Sequence, residues 1–174
     1  MPKIIDEARA RILSTARRKL FAEGYSGLTL RSVAGECSIA VGTIYNYFKD
    51  KDTLVASVMM EDWLEVLGRM DQACAQAQAA ADGLVGIQQA IKGFGELYAP
   101  VWDQFSQTGG SSGTVSSRHH MLREQIAQRI LGMMERLGME DRVLAPILAE
   151  TVLAAALQPD IGEEEIRILA ERLR

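Results

Sequence analysis

The sequence predicts an all-α chain: a small three-helix head at the amino terminus followed by a larger helical bundle. Two observations carry that expectation. Wherever apolar residues recur they do so at spacings of three and four, and no stretch alternates as a half-buried strand would. Residues 24–54, GYSGLTLRSVAGECSIAVGTIYNYFKDKDTL, hold two short apolar faces separated by barely six residues. Helices so closely joined cannot lie antiparallel and must cross steeply, which is the helix-turn-helix arrangement. The length of 174 residues, 48% apolar and 24% charged, suffices for one helical body with such a head attached.

The first helix is expected from about Asp6 to Glu23, because Ala8, Ile12, Ala16 and Leu20 recur along one side. Arg9, Arg11, Arg17, Arg18 and Lys19 cluster elsewhere on the same cylinder. Thr29 then caps a helix whose inward side is Leu30, Val33 and Ala34 and which stops near Cys37 and Ser38. A second short helix starts around Val41 to Thr43 and ends at Phe48, with Ile44 and Phe48 as its inward i,i+4 pair. Ala40 and Gly42 leave its leading turn slim, while Thr43, Tyr45, Asn46 and Tyr47 crowd hydrogen-bonding groups onto the other side. Since Ile44 and Phe48 already fill the small core, the tyrosines are expected to face outward, as a reader of a DNA major groove requires.

Asp50 is placed to cap a long helix from Lys51 to near Ala81, with Leu54, Val58, Leu67, Met70 and Cys74 along one side and Trp63 and Leu64 beside it. Gly83 is expected to break it. A further helix spans Leu84 to Tyr98, Pro100 interrupts, and a shorter piece holds Val101, Trp102 and Phe105. The segment SQTGGSSGTVSS, residues 106–117, is composed like a mobile loop. Helices resume over Ser117–Leu137, Asp141–Leu157 and Gly162–Leu173, separated by Gly138 and Pro159. The expected division is a small helix-turn-helix head over residues 1–50 and a helical body over residues 51–174.

Charge divides the same way. Up to Lys51 there are nine Lys or Arg against five Asp or Glu, a net of +4; the rest carries ten against eighteen, a net of −8, which together make −4. Only the amino-terminal part suits a polyanion. The first residues lack the apolar core of a signal peptide and the longest apolar run, Val143 to Ala149, cannot cross a bilayer, so a cytoplasmic protein is expected. Cys37 and Cys74 have no metal-ligand spacing and are expected as free thiols. No glycine-rich phosphate loop, paired carboxylates at metal-ligand spacing or nucleophile elbow is present, which argues against an enzyme. No cofactor and no metal are expected: His119 and His120 are adjacent and point to different helix sides.

The run T-L-x-x-V-A followed by V-G-T-I-Y-N-Y-F-K-D-K-D-T-L, from Thr29 to Leu54, resembles the DNA-binding signature of the tetracycline-repressor (TetR) family of transcriptional regulators. Phe21, Gly24 and Tyr25 match its upstream F-x-x-x-G-Y, and Gly42, Thr43, Ile44, Tyr45, Tyr47, Phe48, Lys51 and Leu54 match its G-T-I-Y-x-Y-F-x-x-K-x-x-L. The resemblance covers about the first 55 residues, under a third of the chain. It departs at Ser38, where the family usually has Gly, and at Cys37, where Ala is common; serine tolerates a left-handed backbone less well. The resemblance implies that Arg31, Val41, Gly42, Tyr45 and Asn46 face base edges, and that Thr29, Thr43, Tyr47 and Lys51 hold phosphate oxygens.

It also implies a homodimeric regulator, by default a repressor, that binds a near-palindromic operator and is released by a small, largely apolar effector. Val143, Leu144, Ile147, Leu148, Val152, Leu153 and Leu157 exceed one buried stripe, and Ile166, Leu169, Ala170 and Leu173 add a compact apolar edge. Packing of these last two helices against a second copy, or against helices of the same chain, would bury the surplus. Trp63, Met70, Cys74, Phe94, Tyr98, Trp102, Phe105, His119 and Met121 are the candidate effector-binding residues, with Met133 and Met134 in the same adaptable pool and Gln104, His120 and Arg123 as further polar groups to orient a ligand. Pocket lining and core packing are not separable in the sequence for any one of them.

Overall fold

The computed structural model describes residues 2–107, 113–158 and 160–173, with side chains from Glu7 to Gln104, from His119 to Gln158 and from Asp160 to Leu173. Among them every regular element is helical: α1 (Pro2–Gly27), α2 (Leu30–Glu36), α3 (Val41–Tyr45), α4 (Lys51–Gln76), α5 (Ala80–Gln107), α6 (Gly113–Arg136), a 3-10 turn (Arg142–Leu144), α7 (Ala145–Leu157) and α8 (Glu163–Ala170). Two compact units divide the chain, Met1–Trp63 with Tyr98–Gly110, and Leu64–Leu97 with Ser111–Arg174. Both α4 and α5 therefore have one part in each unit.

In the first unit α1 buries Ile12, Leu13, Ala16 and Leu20 and packs against α2, which in turn packs against α3. The helix runs to Gly27 but kinks at Gly24, whose φ of 73° and ψ of 174° lie where side chains other than glycine's are strained. A Cβ there would also meet the Gln104 amide at 2.8–2.9 Å. The expected stripe of α4 is buried at Leu54, Val58 and Trp63 and, in the second unit, at Leu67, Met70 and Cys74. Leu64, expected near that stripe, is instead 59% exposed. One carboxylate sits on the stripe: Asp62, buried, accepts from Arg17 Nε of α1 at 2.8 and 3.0 Å and from the Tyr98 hydroxyl of α5 at 2.8 Å.

The helix boundaries correct several expectations. α4 ends at Gln76, not near Ala81, because Arg136 Nη2 of α6 donates to the terminal carbonyls of Cys74 and Ala77 at 2.7 and 2.6 Å, and Asp82 accepts from Ala79 N at 3.2 Å to open α5. Gly83 is no breaker: it lies inside α5, at a close approach to α6 where an added Cβ would collide with Met133 Sδ. Pro100 does not interrupt α5, which continues to Gln107 because both sides of the proline are anchored, Tyr98 and Val101 by burial and Gln104 by accepting from Ser26 N at 3.0 Å. Of the segment expected as a loop, residues 108–112 lie outside the described residues, and the flanking backbone belongs to α5 and α6.

The second unit closes around Ile87, Ile126, Ile130, Met134, Leu148, Val152 and Ile166. At Gly138, φ 70°, the Met139 amide donates back to Met134 and the Gly138 amide to Glu135, a Schellman end to α6. Val143, Ile147, Leu157, Ile168 and Leu169 are exposed along α7 and α8 and the turn before them, the first at 82%.

Candidate nucleic-acid interface

Thr29 starts α2 as expected. Its Oγ1 accepts from Ser32 N at 3.0 Å, while Thr29 N donates to Ser32 Oγ at 3.4 Å, so both members of a capping box are present. Leu30, Val33 and Ala34 turn inward, leaving Arg31 exposed. The Cys37 thiol, buried, lies 3.4 Å from Thr15 Oγ1 and 3.8 Å from the Arg11 carbonyl, tying the end of α2 to α1. Ser38 follows with φ 54°: its amide donates to Gly35 and that of Ile39 to Ala34, a Schellman motif with serine in the left-handed position.

α3 is shorter than expected, Val41–Tyr45, though the Tyr47 and Phe48 amides still donate to the Ile44 carbonyl at 2.9 Å. Ile44 and Phe48 are buried. On the other side Tyr45 is 57% exposed, Asn46 is exposed, and a Cβ added to Gly42 would meet nothing within 4 Å. Val41, Thr43 and Tyr47 are half-buried, the Tyr47 ring tilted beside Phe48 at 6.3 Å. Residues 41–48 thus form a slim polar ridge backed by a closed apolar core, with Thr29 and Arg31 beside it in sequence and open to solvent.

Asp50 opens α4, accepting from Thr53 N and Thr53 Oγ1 at 2.7 Å; those bonds hold its carboxyl below the usual range, with Lys49 adding to the effect. Lys51 Nζ donates to the Tyr25 carbonyl at 3.0 Å and sits 4.0 Å above the Tyr25 ring. The Tyr25 hydroxyl donates to Asp52, and burial, then that bond and the charges of Asp52 and Asp50, push its pKa up to about 12. Lys51 therefore has a structural engagement that its spacing did not reveal. The basic cluster of α1 is likewise partly matched: Arg9 pairs with Glu61, Arg17 with Asp62, Arg18 with Glu36, and Lys19 with Glu23 and Glu36. Among the described residues Arg11, Arg31 and Lys49 have no ion pair.

The candidate effector-binding residues fall in both units and differ in burial. Trp63, Met70, Cys74 and Tyr98 are buried, Phe94 is half-buried, Trp102, His119 and Met121 are exposed, and the Phe105 side chain lies outside the described residues. Trp63, Tyr98 and Trp102 belong to the first unit; Met70, Cys74, Phe94, His119 and Met121 belong to the second. His119 Nε2 lies 3.0 Å from Glu150, and Gln104 is engaged with Ser26 N. An open cleft of about 430 Å³ in the second unit is lined by Asp71, Cys74, Ala75, Gln128, Arg129, Gly132, Met133 and Arg136. Of the residues the sequence offered for a ligand, Cys74 and Met133 line it. Burial and then the Asp71 charge push that thiol up to about 11, against Arg129 and Arg136, so it is poorly suited to react as a thiolate.

Asp62, Arg17 and Tyr98 were not recognisable together, their partners lying 36 and 45 positions apart. The signal was a charge on an apolar stripe, Asp62 following Val55 and Val58 and preceding Val66 at helical spacing. Among the described residues no helix is long and apolar enough to cross a membrane.

Residues 12–58 match the family described as bacterial regulatory proteins, tetR family. The HTH-type transcriptional regulator UidR of Escherichia coli K12 is 21% identical over 125 residues, 70% of this chain and 64% of that protein, so the match spans less than two thirds of the relative's length. The HTH-type transcriptional regulator HbdR of Aromatoleum sp. strain CIB is 37% identical over 54 residues, 31% of this chain and 24% of its own. Among solved structures, RolR in complex with resorcinol superposes with a TM-score of 0.65 at 20% identity, covering 99% of this chain and 89% of that one. A TetR-family regulator from Pectobacterium atrosepticum gives 0.62 at 22% identity, covering 98% and 92%. The all-α fold, a helix-turn-helix head followed by a helical bundle, is common to these structures.

Proposed function

We propose that the chain, whose amino-terminal head matches the tetR family of bacterial regulatory proteins, is a transcriptional regulator of that family that binds operator DNA as a homodimer, by default as a repressor. The observation that carries this reading is the exposed ridge of Gly42, Tyr45 and Asn46, standing on a core that Ile44 and Phe48 already close. In this reading Arg31, Val41, Gly42, Tyr45 and Asn46 read bases, and Thr29, Thr43, Tyr47 and Lys51 hold phosphates. Lys51 does so while keeping its bond to Tyr25, since an ammonium carries three donors. Residues 1–50 form the DNA-binding domain and residues 51–174 the domain for effector binding and dimerisation.

A reader this small spans few base pairs, and a second copy supplies the rest. The exposed aliphatic side chains of α7 and α8 are the proposed subunit interface, which would set two heads about 34–36 Å apart on one side of the duplex and favour a near-palindromic site. A small, largely apolar effector is proposed to bind the body and lower DNA affinity by no more than its difference in affinity for the two states. The resorcinol held by RolR supports a small aromatic molecule as the class to try first. Selection of bound duplexes from a random-sequence pool, followed by fluorescence anisotropy on the enriched sequence, tests the reading. Enrichment of a near-palindrome with steep salt dependence is expected; no enrichment at modest ionic strength would overturn it.

A further inference from the structure

We infer that Asp62 and Tyr98 are positioning residues for DNA reading, joining the end of α5 to α1 so that the reading segment keeps one orientation. The inference rests on the DNA-binding role proposed above. Among the described residues Asp62 is the one buried carboxylate, and it receives directional bonds from two other helices at once: Arg17 Nε of α1 at 2.8 and 3.0 Å, and the Tyr98 hydroxyl of α5 at 2.8 Å. Tyr98 is where α5 enters the first unit, and its ring lies 5.3 Å from that of Phe21 on α1. Further along α5, Gln104 accepts from Ser26 N at 3.0 Å, between the Gly24 kink and the Thr29 cap that opens α2. The last turns of α5 thus grip α1 at two points, and the second is next to the start of the helix-turn-helix.

Stability alone does not account for the carboxylate. A valine at position 62 would continue the stripe of Val55, Val58 and Val66, and replacing a buried polar network by packed aliphatic groups is often neutral or stabilising. What hydrogen bonds supply and aliphatic contacts do not is a fixed angle between α1, α4 and α5. Pro100 sharpens the point, for it has no N–H to give the Glu96 carbonyl and so softens α5 just after Tyr98. A helix weakened there holds its last turns in place through side chains, and Tyr98 and Gln104 supply hydrogen bonds among them, beside the buried Val101.

The test uses the full chain and its selected operator, with affinity read by fluorescence anisotropy well below the unfolding midpoint of every variant. Neither Asp62 nor Tyr98 is exposed, so neither touches DNA. Tyr98→Phe and Asp62→Asn are each expected to weaken operator binding about fivefold or more, and the double variant to be no weaker than the worse single, since both break one chain of bonds. The slope of affinity against salt should not change, because no phosphate contact is lost. Tyr98→Phe binding like the wild type while melting at a lower temperature would overturn the inference, leaving a structural role only. So would single effects that multiply in the double variant. If Asp62→Asn fails to fold, Tyr98→Phe decides alone. A wild-type chain that binds no duplex overturns the DNA reading and this inference with it; wild-type binding with an unaffected Tyr98→Phe overturns only this inference.

Discussion

The outward sides of α3 and of α7 with α8 are both exposed and both carry large side chains, yet they offer different chemistry. On α3 the exposed groups end in a phenol and an amide, at Tyr45 and Asn46, beside the open space at Gly42. On α7, α8 and the turn before them, Val143, Ile147, Leu157 and Ile168 end in methyl groups and are half exposed or more. A hydroxyl or amide is well solvated and loses little by waiting in water, whereas each aliphatic side chain gains about 1.5–3 kcal/mol when fully buried. The first surface suits a partner that comes and goes; the second suits one that stays.

The sharpest way to break that contrast is Ile147→Glu. On a surface that faces only water this change belongs to the neutral class, within about 0.5 kcal/mol. In an interface between two copies it places an unpaired carboxylate from each subunit in an apolar seam, and dimer dissociation should rise by about 100-fold or more, roughly 3 kcal/mol. Sedimentation equilibrium reads the outcome, with far-ultraviolet circular dichroism to show that the helices persist. A variant that sediments as the wild type does would place the patch outside any subunit contact.

The head was largely legible in the sequence because its determinants are local. Thr29 and Asp50 cap helices through bonds to residues three positions on, and Ile44 and Phe48 pair within one turn. Where the structure departs from expectation, the deciding partner is remote. α4 stops at Gln76 because of Arg136, α5 passes Pro100 with Gln104 held by Ser26, and Gly83 serves a close approach to Met133, none of which spacing along one helix can reveal. The same holds for the basic side of α1, where Glu36 and Glu61 arrive from other helices to pair with arginines that read in isolation as a patch. For the candidate effector-binding residues spacing said least, since aromatic residues and methionines mark a core as readily as a pocket.

Within the head, Gly24→Ala probes the seam behind the reading segment rather than the ridge itself. The backbone at φ 73° and ψ 174° is strained for alanine, and the new Cβ would press on the Gln104 amide. A loss of about 2–3 kcal/mol is expected in urea unfolding. Tyr45→Ala probes the ridge. With the ring 57% exposed, the thermal midpoint should stay within a degree or two of the wild type, in keeping with the small effects of exposed positions. Operator affinity should fall about tenfold, roughly 1.4 kcal/mol. Unchanged affinity with a lowered midpoint would reverse the assignment, making Tyr45 part of the head's core.

The smallest expected effect isolates one backbone position that the molecule solves in two ways. α2 and α6 both end in Schellman motifs, and the residue in the left-handed position is Ser38 at φ 54° in one and Gly138 at φ 70° in the other. A Cβ in that conformation crowds the following carbonyl at a cost of about 1–2 kcal/mol, part of which glycine gives back through its greater freedom in the unfolded chain. Ser38→Gly should therefore stabilise by about 0.5–1 kcal/mol, read as a higher urea midpoint with unchanged slope. Gly138→Ser should destabilise by a similar amount. If Ser38→Gly instead lowers stability, the serine must contribute more than its backbone costs. Should operator binding also weaken, the turn between α2 and α3 would be set by that side chain and not by backbone preference alone.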